Sequence, residues 1–288
     1  MIIVTGASGQ LGRMVVNQLL ERVPAGQIGV SVRDIDKVKE LQERGVRVRK
    51  GDYNDAESLA HAFEGASQVL IVSSNSLGEK AFLHHRTAIE AARKSGVQRI
   101  HYTSQMGSSK ASYFPPMVDH AATEELLKAS GTAFTSLRNG FYAGSALMML
   151  GDAVQTGILA APEDGPVAWT AHSDLAEAAA IAMTEEALEG VTPVLTASET
   201  VDLAGIAALA SELTGRPIKR VVISDEEYRT GLIARGLPEE RADMFVGLFR
   251  ASRNGEFART DDTLGRLLGR EPVGMKEVLS TSLAGRSL

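Results

Sequence analysis

The run Val4-Thr5-Gly6-Ala7-Ser8-Gly9-Gln10-Leu11-Gly12 constrains this chain more than any other segment. It sets three glycines at a spacing of three between a β-branched apolar run and an amphipathic one. Between a strand and a helix, the first glycine permits the tight turn, the second lets the main chain approach a pyrophosphate, and the third lets the helix pack closely on the strand. The unpaired N–H groups and positive dipole end of the helix then favour an anion without any basic side chain. Gly6, Ala7, Ser8, Gly9, Gln10, Leu11 and Gly12 are therefore the expected phosphate turn of a dinucleotide site.

The residues beyond the turn support that context. Residues 2–5, 28–32, 46–51, 69–72, 100–103 and 134–137 read as short apolar strands separated by helical patterns, the signature of βαβ units and a parallel sheet. Leu11, Val15, Val16, Leu19 and Leu20 form a stripe of helical period. Further helices are expected through Val38 and Leu41 to Gly45, from Asn54 (with Glu57 as capping-box partner) to Gly65, and from Lys80 to Gly96. Beyond Arg138 the alternation breaks. A helix is expected over residues 144–155, a strand near 167–170, an Ala-rich helix opened by Asp174 with Glu177 three residues on, and a strand at 193–197. Helices over 203–213, 226–235, 239–250, 262–268 and from Met275 complete the tail. The expected fold class is α/β: a Rossmann-type doubly wound parallel sheet in residues 1–140, with a smaller, mostly helical C-terminal substrate lobe in residues 141–288, some segments of which return to the core.

The end of the second strand bears on which dinucleotide is bound. NAD enzymes usually place a carboxylate about 20 residues past the glycines, for the ribose 2′-OH, whereas NADP enzymes tend to place Arg there. Here the residues are Val32-Arg33-Asp34, and Arg33 lies 21 positions beyond Gly12. Its guanidinium suits a 2′-phosphate, with Arg13 and Lys37 as added charge, so NADP(H) is the expected cofactor. Asp34 would serve an NAD ribose if the strand ended one residue later. Asp52, after the third strand, suits either the adenine amino group or a helix cap.

Other classes are disfavoured. With 30 basic and 36 acidic residues the net charge is −6, and no cationic stripe suggests nucleic acid. The absence of Cys removes disulfides, thiolate zinc sites and cysteine nucleophiles. His84 and His85 are adjacent, so on a helix they diverge by about 100°, and no acidic cluster completes a metal site; no metal is expected. Met1 to Thr5 runs straight into the glycine turn without a signal-peptide pattern, and the Ala-rich stretch is cut by Glu177 and closed by Glu185. A cytoplasmic protein with a small-molecule acceptor and no membrane partner is expected; the oligomeric state stays open, a homodimer included.

Beyond these readings the chain resembles the NmrA-like group of atypical short-chain dehydrogenases, in particular the bacterial triphenylmethane reductases and NADPH quinone oxidoreductases. The resemblance rests on the glycine turn, Val32-Arg33, Lys50-Gly51-Asp52-Tyr53, the run from Val97 to Ser104, and Leu137-Arg138-Asn139-Gly140-Phe141-Tyr142. It implies NADPH as cofactor and a small variable lobe over the nicotinamide. It also implies that Ser73, Ser74 and Asn75 run past the cofactor and that Asn139, Gly140, Phe141 and Tyr142 approach its nicotinamide end.

The proton chemistry is less determined. Ordinary short-chain dehydrogenases use Tyr-x-x-x-Lys, in which the lysine charge lowers the phenol pKa. No tyrosine here has Lys four residues on. The candidates are His120 and Glu124, at i, i+4 on one helical face, with the histidine titrating near neutrality to protonate a quinol oxygen and Glu124 holding the imidazole or cofactor ribose. The same pair also fits a solvated helix surface. Tyr142 is the candidate stacking or hydrogen-bonding wall, and Trp169, Met106, Met148 and Met149 fit either an apolar pocket or plain core. The function expected is NADPH-dependent hydride transfer to a quinone or similar flat conjugated acceptor. The alternative is a non-catalytic NADP(H)-binding redox sensor. An epimerase or dehydratase lacks its tyrosine-lysine pair.

Overall fold

The computed structural model describes residues 1–185 and 188–284. Strand β1 (Ile2–Thr5) shows how the architecture arises: strand side chains alternate, so Ile2 and Val4 enter one apolar core while Ile3 enters another. A strand buried on both faces reads as a continuous apolar run and needs helices on each side. These follow in order: α1 (Gln10–Leu20), β2 (Ile28–Val32), α2 (Lys39–Glu43), β3 (Arg47–Lys50), α3 (Ala56–Phe63), β4 (Gln68–Ile71), α4 (Gly78–Lys94), β5 (Arg99–Gln105), α5 (Pro115–Ala129) and β6 (Ala133–Asn139). The second half comprises β7 (Phe141–Tyr142), α6 (Ala143–Leu150), α7 (Ala153–Thr156), β8 (Ile158–Ala161), β9 (Trp169–Thr170), α8 (His172–Thr184), β10 (Gly190–Leu195), α9 (Leu203–Thr214), β11 (Lys219–Val222), α10 (Asp225–Ala234), α11 (Glu239–Arg253), α12 (Thr263–Leu268) and α13 (Met275–Ala284).

Seven strands form one parallel sheet in the order β10-β6-β5-β4-β1-β2-β3. The chain order reverses between β1 and β4, and ligands of such sheets bind in the crevice that the reversal opens beyond the strand carboxyl ends. Strand β10 comes from the second half, and α8 packs against α1, its buried alanines Ala176, Ala178, Ala179, Ala180 and Ala182 joining the same apolar core as the α1 stripe. A third core, including Leu159, Trp169, Leu203, Ile206, Leu248 and Phe249, belongs to the lobe.

Several expectations are corrected. The cap of α3 is Asp55, whose carboxylate accepts from the amides of Glu57 and Ser58, and Asn54 lies before it. Asp174 does not open α8; it is fully buried inside the helix, where Arg270 Nη2 (2.8 Å) and the Val273 amide (2.6 Å) donate to it and tie the tail to the core. The helix expected over 144–155 is broken by Gly151 at φ +52° into α6 and α7. The parallel pair β8–β11 has no counterpart among the expected strands: β8 alternates exposed and buried positions, and β11 has no fully buried position, so neither reads as a continuous apolar run.

Candidate active site

The glycine turn is built as its spacing predicts. Gly6 adopts φ +63°, its amide donates to Ser31 O at 3.1 Å, and the Gly9 amide closes the turn on Gly6 O at 2.9 Å. A Cβ on Gly12 would lie 2.6 Å from Gly6 O, so helix and strand approach as closely as only glycine allows. No side chain caps α1 at Gly9, which leaves its first-turn amides without a partner in the chain among the described residues.

The turn forms one wall of a cleft of about 400 Å³ at the sheet's switch point. Of the residues singled out from sequence, Gly6, Ser8, Gly9, Arg33, Asp52, Ser73, Ser74 and Asn75 line this cleft together. Ala7 and Leu11 send their side chains into the core beneath, Gly12 packs on Gly6, and Gln10 is exposed at the helix start but off the cleft lining, so these four offer the site main chain only.

Asn139, Gly140, Phe141 and Tyr142 do not line the cleft. Asn139 is buried, and a Cβ on Gly140 would meet Thr170 Oγ1 at 2.1 Å. Strand alternation divides the next two residues. Phe141 enters the lobe core against Trp169 and Phe257, with ring centroids 5.5 and 4.9 Å away, while Tyr142 packs on the sheet side over His172 at 4.4 Å. Trp169 is core as well, its indole N–H donating to Val201 O at 2.7 Å, and Met106 is buried with it. Trp169 and Met149 do border a cavity, but it holds only about 10 Å³; Met148 is exposed.

At the far end of the cleft Arg33 is exposed and makes no ion pair among the described residues. Arg13 is not its ally. Its guanidinium is spent on Ala7 O (3.1 Å), Lys37 O (2.7 Å) and Glu40, bracing the glycine turn against the segment after β2. Lys37 does not line the cleft. Asp34 accepts from the Asp36 amide at 3.1 Å to cap a short turn and is off the lining too, which sets aside the ribose alternative. Asp52 Oδ1 accepts from the amide and side-chain nitrogen of Asn54, both at 2.9 Å. Chiefly the Asn54 amide, with the Asn54 side chain and the nearby Arg33 charge, holds the Asp52 carboxyl below its ordinary range.

Lining residues that reasoning from sequence does not place in the site include Ser31, Tyr53, Lys80 and His84. Ser31 Oγ is buried without a partner among the described residues, an orphaned polar atom in the cleft wall. Tyr53 OH donates to Val72 O at 2.6 Å and meets Thr5 Oγ1 at 2.6 Å, joining the ends of β1 and β4. Lys80 and His84 lie one helical turn apart at the start of α4, and that i, i+4 spacing is the available signal.

His120 sits half-buried beside the cleft, not in its lining. Its partner is Tyr102, whose OH lies 2.7 Å from His120 Nδ1; Glu124 does not hold the imidazole. Burial pushes the His120 pKa down to about 4, against the opposing charge of Glu124, so the ring does not titrate near neutrality. Glu124 is buried elsewhere: Arg138 Nε (3.0 Å) and Nη2 (2.7 Å) grip both its oxygens, and Ser104 Oγ donates to it at 2.7 Å. Among the described residues, no group of three or more His, Cys, Asp or Glu converges as a metal site, and no helix is long and apolar enough to cross a membrane.

Comparison with known proteins gives a consistent result. A family model described as NAD(P)H-binding matches residues 6–186. Quinone oxidoreductase 2 of Escherichia coli is 33% identical over 97% of this chain and 98% of its own length. The crystal structure of an NADPH-dependent quinone oxidoreductase from Escherichia coli complexed with NADPH superposes with a TM-score of 0.92 at 32% identity, covering 98% of this chain and 100% of that one. The Citrobacter sp. triphenylmethane reductase complexed with NADP(H) gives a TM-score of 0.90 at 33% identity, with 98% and 100% covered.

Proposed function

This chain belongs to the NAD(P)H-binding family, and we propose that it is an NADPH-dependent oxidoreductase that passes hydride to a quinone or similar flat conjugated acceptor. The observation that carries the reading is the cleft itself, in which an uncapped glycine turn, an Arg33 without an ion pair among the described residues and the Ser73–Asn75 segment line one continuous surface. The likeness to named reductases over the whole chain favours catalysis over a redox sensor.

The residues present fit the dinucleotide. Gly6, Ser8, Gly9 and the first-turn amides of α1 hold the pyrophosphate, including the backbone of Gln10, Leu11 and Gly12. Arg33, with Lys80 lining the same cleft, takes the 2′-phosphate; Asp52 faces the adenine; Ser31 Oγ gains a partner; and Ser73, Ser74 and Asn75 border the nicotinamide half. NADPH, when bound, supplies the hydride, and the protein's part is to bind and orient. Asn139, Gly140, Phe141 and Tyr142 support the join between sheet and lobe. Residues 1–140 carry the cofactor and residues 141–288 the acceptor side, in a chain whose lack of Cys suits the cytoplasm.

Three outcomes test this. Without a tyrosine-lysine pair, quinones and flat dyes should be reduced and simple aldehydes not; a preference for aldehydes would remove the acceptor class. Gly9→Ala, whose Cβ would sit 3.3 Å from Gly6 O, should weaken NADPH and NADH alike. The overpacking is worth about 1 kcal/mol, roughly fivefold in a titration. His120→Ala should lower turnover by less than about tenfold, short of the ~10²-fold loss expected for a general acid. Because its ring stays neutral above about pH 5, kcat should show no His120-dependent step between about pH 6 and 8. A step there that the variant abolishes would restore the proton-donor role.

A further inference from the structure

The adjacent histidines of α4 are buried, and both converge on one residue of the cleft wall. The Ser74 amide lies 2.9 Å from His85 Nε2, and Ser74 Oγ lies 2.8 Å from His84 Nδ1. From these contacts we infer that His84 and His85 are positioning residues, fixed in opposite neutral tautomers, that clamp the Ser73–Ser76 wall of the cleft through the two donors of Ser74.

The tautomers follow from atoms that have only one hydrogen-bonding role. The Asp52 carboxylate only accepts, so the side-chain nitrogen of Asn54 points at it (2.9 Å) and Asn54 Oδ1 is left to face His84 Nε2 at 2.9 Å. An amide oxygen also only accepts. His84 Nε2 therefore carries the proton, and Nδ1 receives the Ser74 hydroxyl, whose oxygen in turn accepts from the Ser76 amide at 3.2 Å. At His85 the roles are exchanged. Nε2 accepts from the Ser74 amide, so Nδ1 bears the proton and donates to Thr123 Oγ1 at 2.9 Å, and Thr123 passes its own hydroxyl hydrogen to Asp119 O at 2.8 Å.

A single path of donors and acceptors thus joins the Asp52 turn, the Ser74 wall and helix α5. Neighbouring histidines on a helix point about 100° apart, which is what lets one ring reach the amide and the other the hydroxyl of the same serine. The segment is tied further along as well, by Asp119 Oδ2 accepting from the Gly78 amide (2.9 Å) and by Arg241 of α11 donating to Asn75 O (2.9 Å). Burial holds both imidazoles below their ordinary pKa, so the acceptor nitrogens stay unprotonated at neutral pH.

The effect on affinity rests on the reading that this cleft takes NADPH, and the test separates the two. Nitrogen-detected NMR of the cofactor-free protein should show His84 protonated on Nε2 and His85 on Nδ1, with the Ser74 amide protected from exchange. H85L should lower NADPH affinity about tenfold by leaving a Ser74 donor unmet, while H85Q, whose amide supplies both an acceptor and a donor, should restore it to within about threefold. Identical tautomers in the two rings, or wild-type affinity in H85L, overturn the clamp. If H85L fails to fold, the tautomers and the Ser74 exchange rate decide, rapid exchange counting against it. Opposite tautomers in a wild-type protein that binds no NADPH support the clamp while overturning the cofactor reading.

Discussion

Arg33→Ala should bring the dissociation constant for NADPH to within about threefold of that for NADH, from a wild-type preference of at least about tenfold. The guanidinium lines the cleft and makes no ion pair among the described residues, so it is free to meet the one charge by which the two cofactors differ. A hydrogen bond to a charged group contributes about 1.5–3 kcal/mol, roughly ten- to a hundredfold. Exposure places Arg33 at the lower end, and the preference should shrink with added salt. Lys80, also exposed, should contribute less, so Lys80→Met should narrow the preference without abolishing it. A fluorescence titration of each cofactor gives the ratio. Equal weakening of both by Arg33→Ala would place the guanidinium on the shared pyrophosphate.

Stability should suffer most at Glu124, which lies 2% exposed with Arg138 gripping both carboxylate oxygens. Removing one partner of a buried pair leaves the other charge uncompensated, at a cost of about 3–5 kcal/mol. Because the Arg138 side chain keeps 28% of its surface in solvent, Glu124→Ala should fall near the lower end of that range in urea unfolding. The pair also has a pH signature. Despite its burial, hydrogen bonds from Arg138 and Ser104 hold the Glu124 carboxyl below its ordinary value. A depressed folded pKa gives stability that is fully present above the unfolded value, about 4.3, and is lost as pH falls through the lower folded value. Wild type should therefore lose stability more steeply than Glu124→Gln below about pH 4.5. Parallel acid curves would show that the carboxylate is not the titrating element.

Whether a residue's role is legible in the sequence depends on how local that role is. Thr5-Gly6 through Gly12 is legible because strand, turn and helix are all encoded within a few residues, and Arg33 follows from its distance to Gly12. The alternation of β1 through β6 is legible for the same reason. Asp174 misleads because a carboxylate near a helix start resembles a cap until Arg270, 96 positions away, claims it. His120 and Glu124 share a helical face but have separate partners, Tyr102 and Arg138, on different strands, and only the fold sends them there. In the sequence His84 and His85 resemble an incomplete metal pair; their common target Ser74 lies in a loop whose path depends on the sheet order. The family resemblance sets Phe141 and Tyr142 near the cofactor, but alternation in β7 turns one into the lobe core and the other onto His172.

A cleft that binds NADPH in order to spend it should show binding and consumption in one experiment. The purified protein is mixed with NADPH in several-fold excess and a quinone, and the reduced cofactor is followed by its absorbance alongside its binding. Tight binding and repeated turnover that consumes the whole excess are expected, with NADPH used in preference to NADH. Saturable NADPH binding with no oxidation by any quinone or flat dye would contradict this and leave a sensor in place of a reductase.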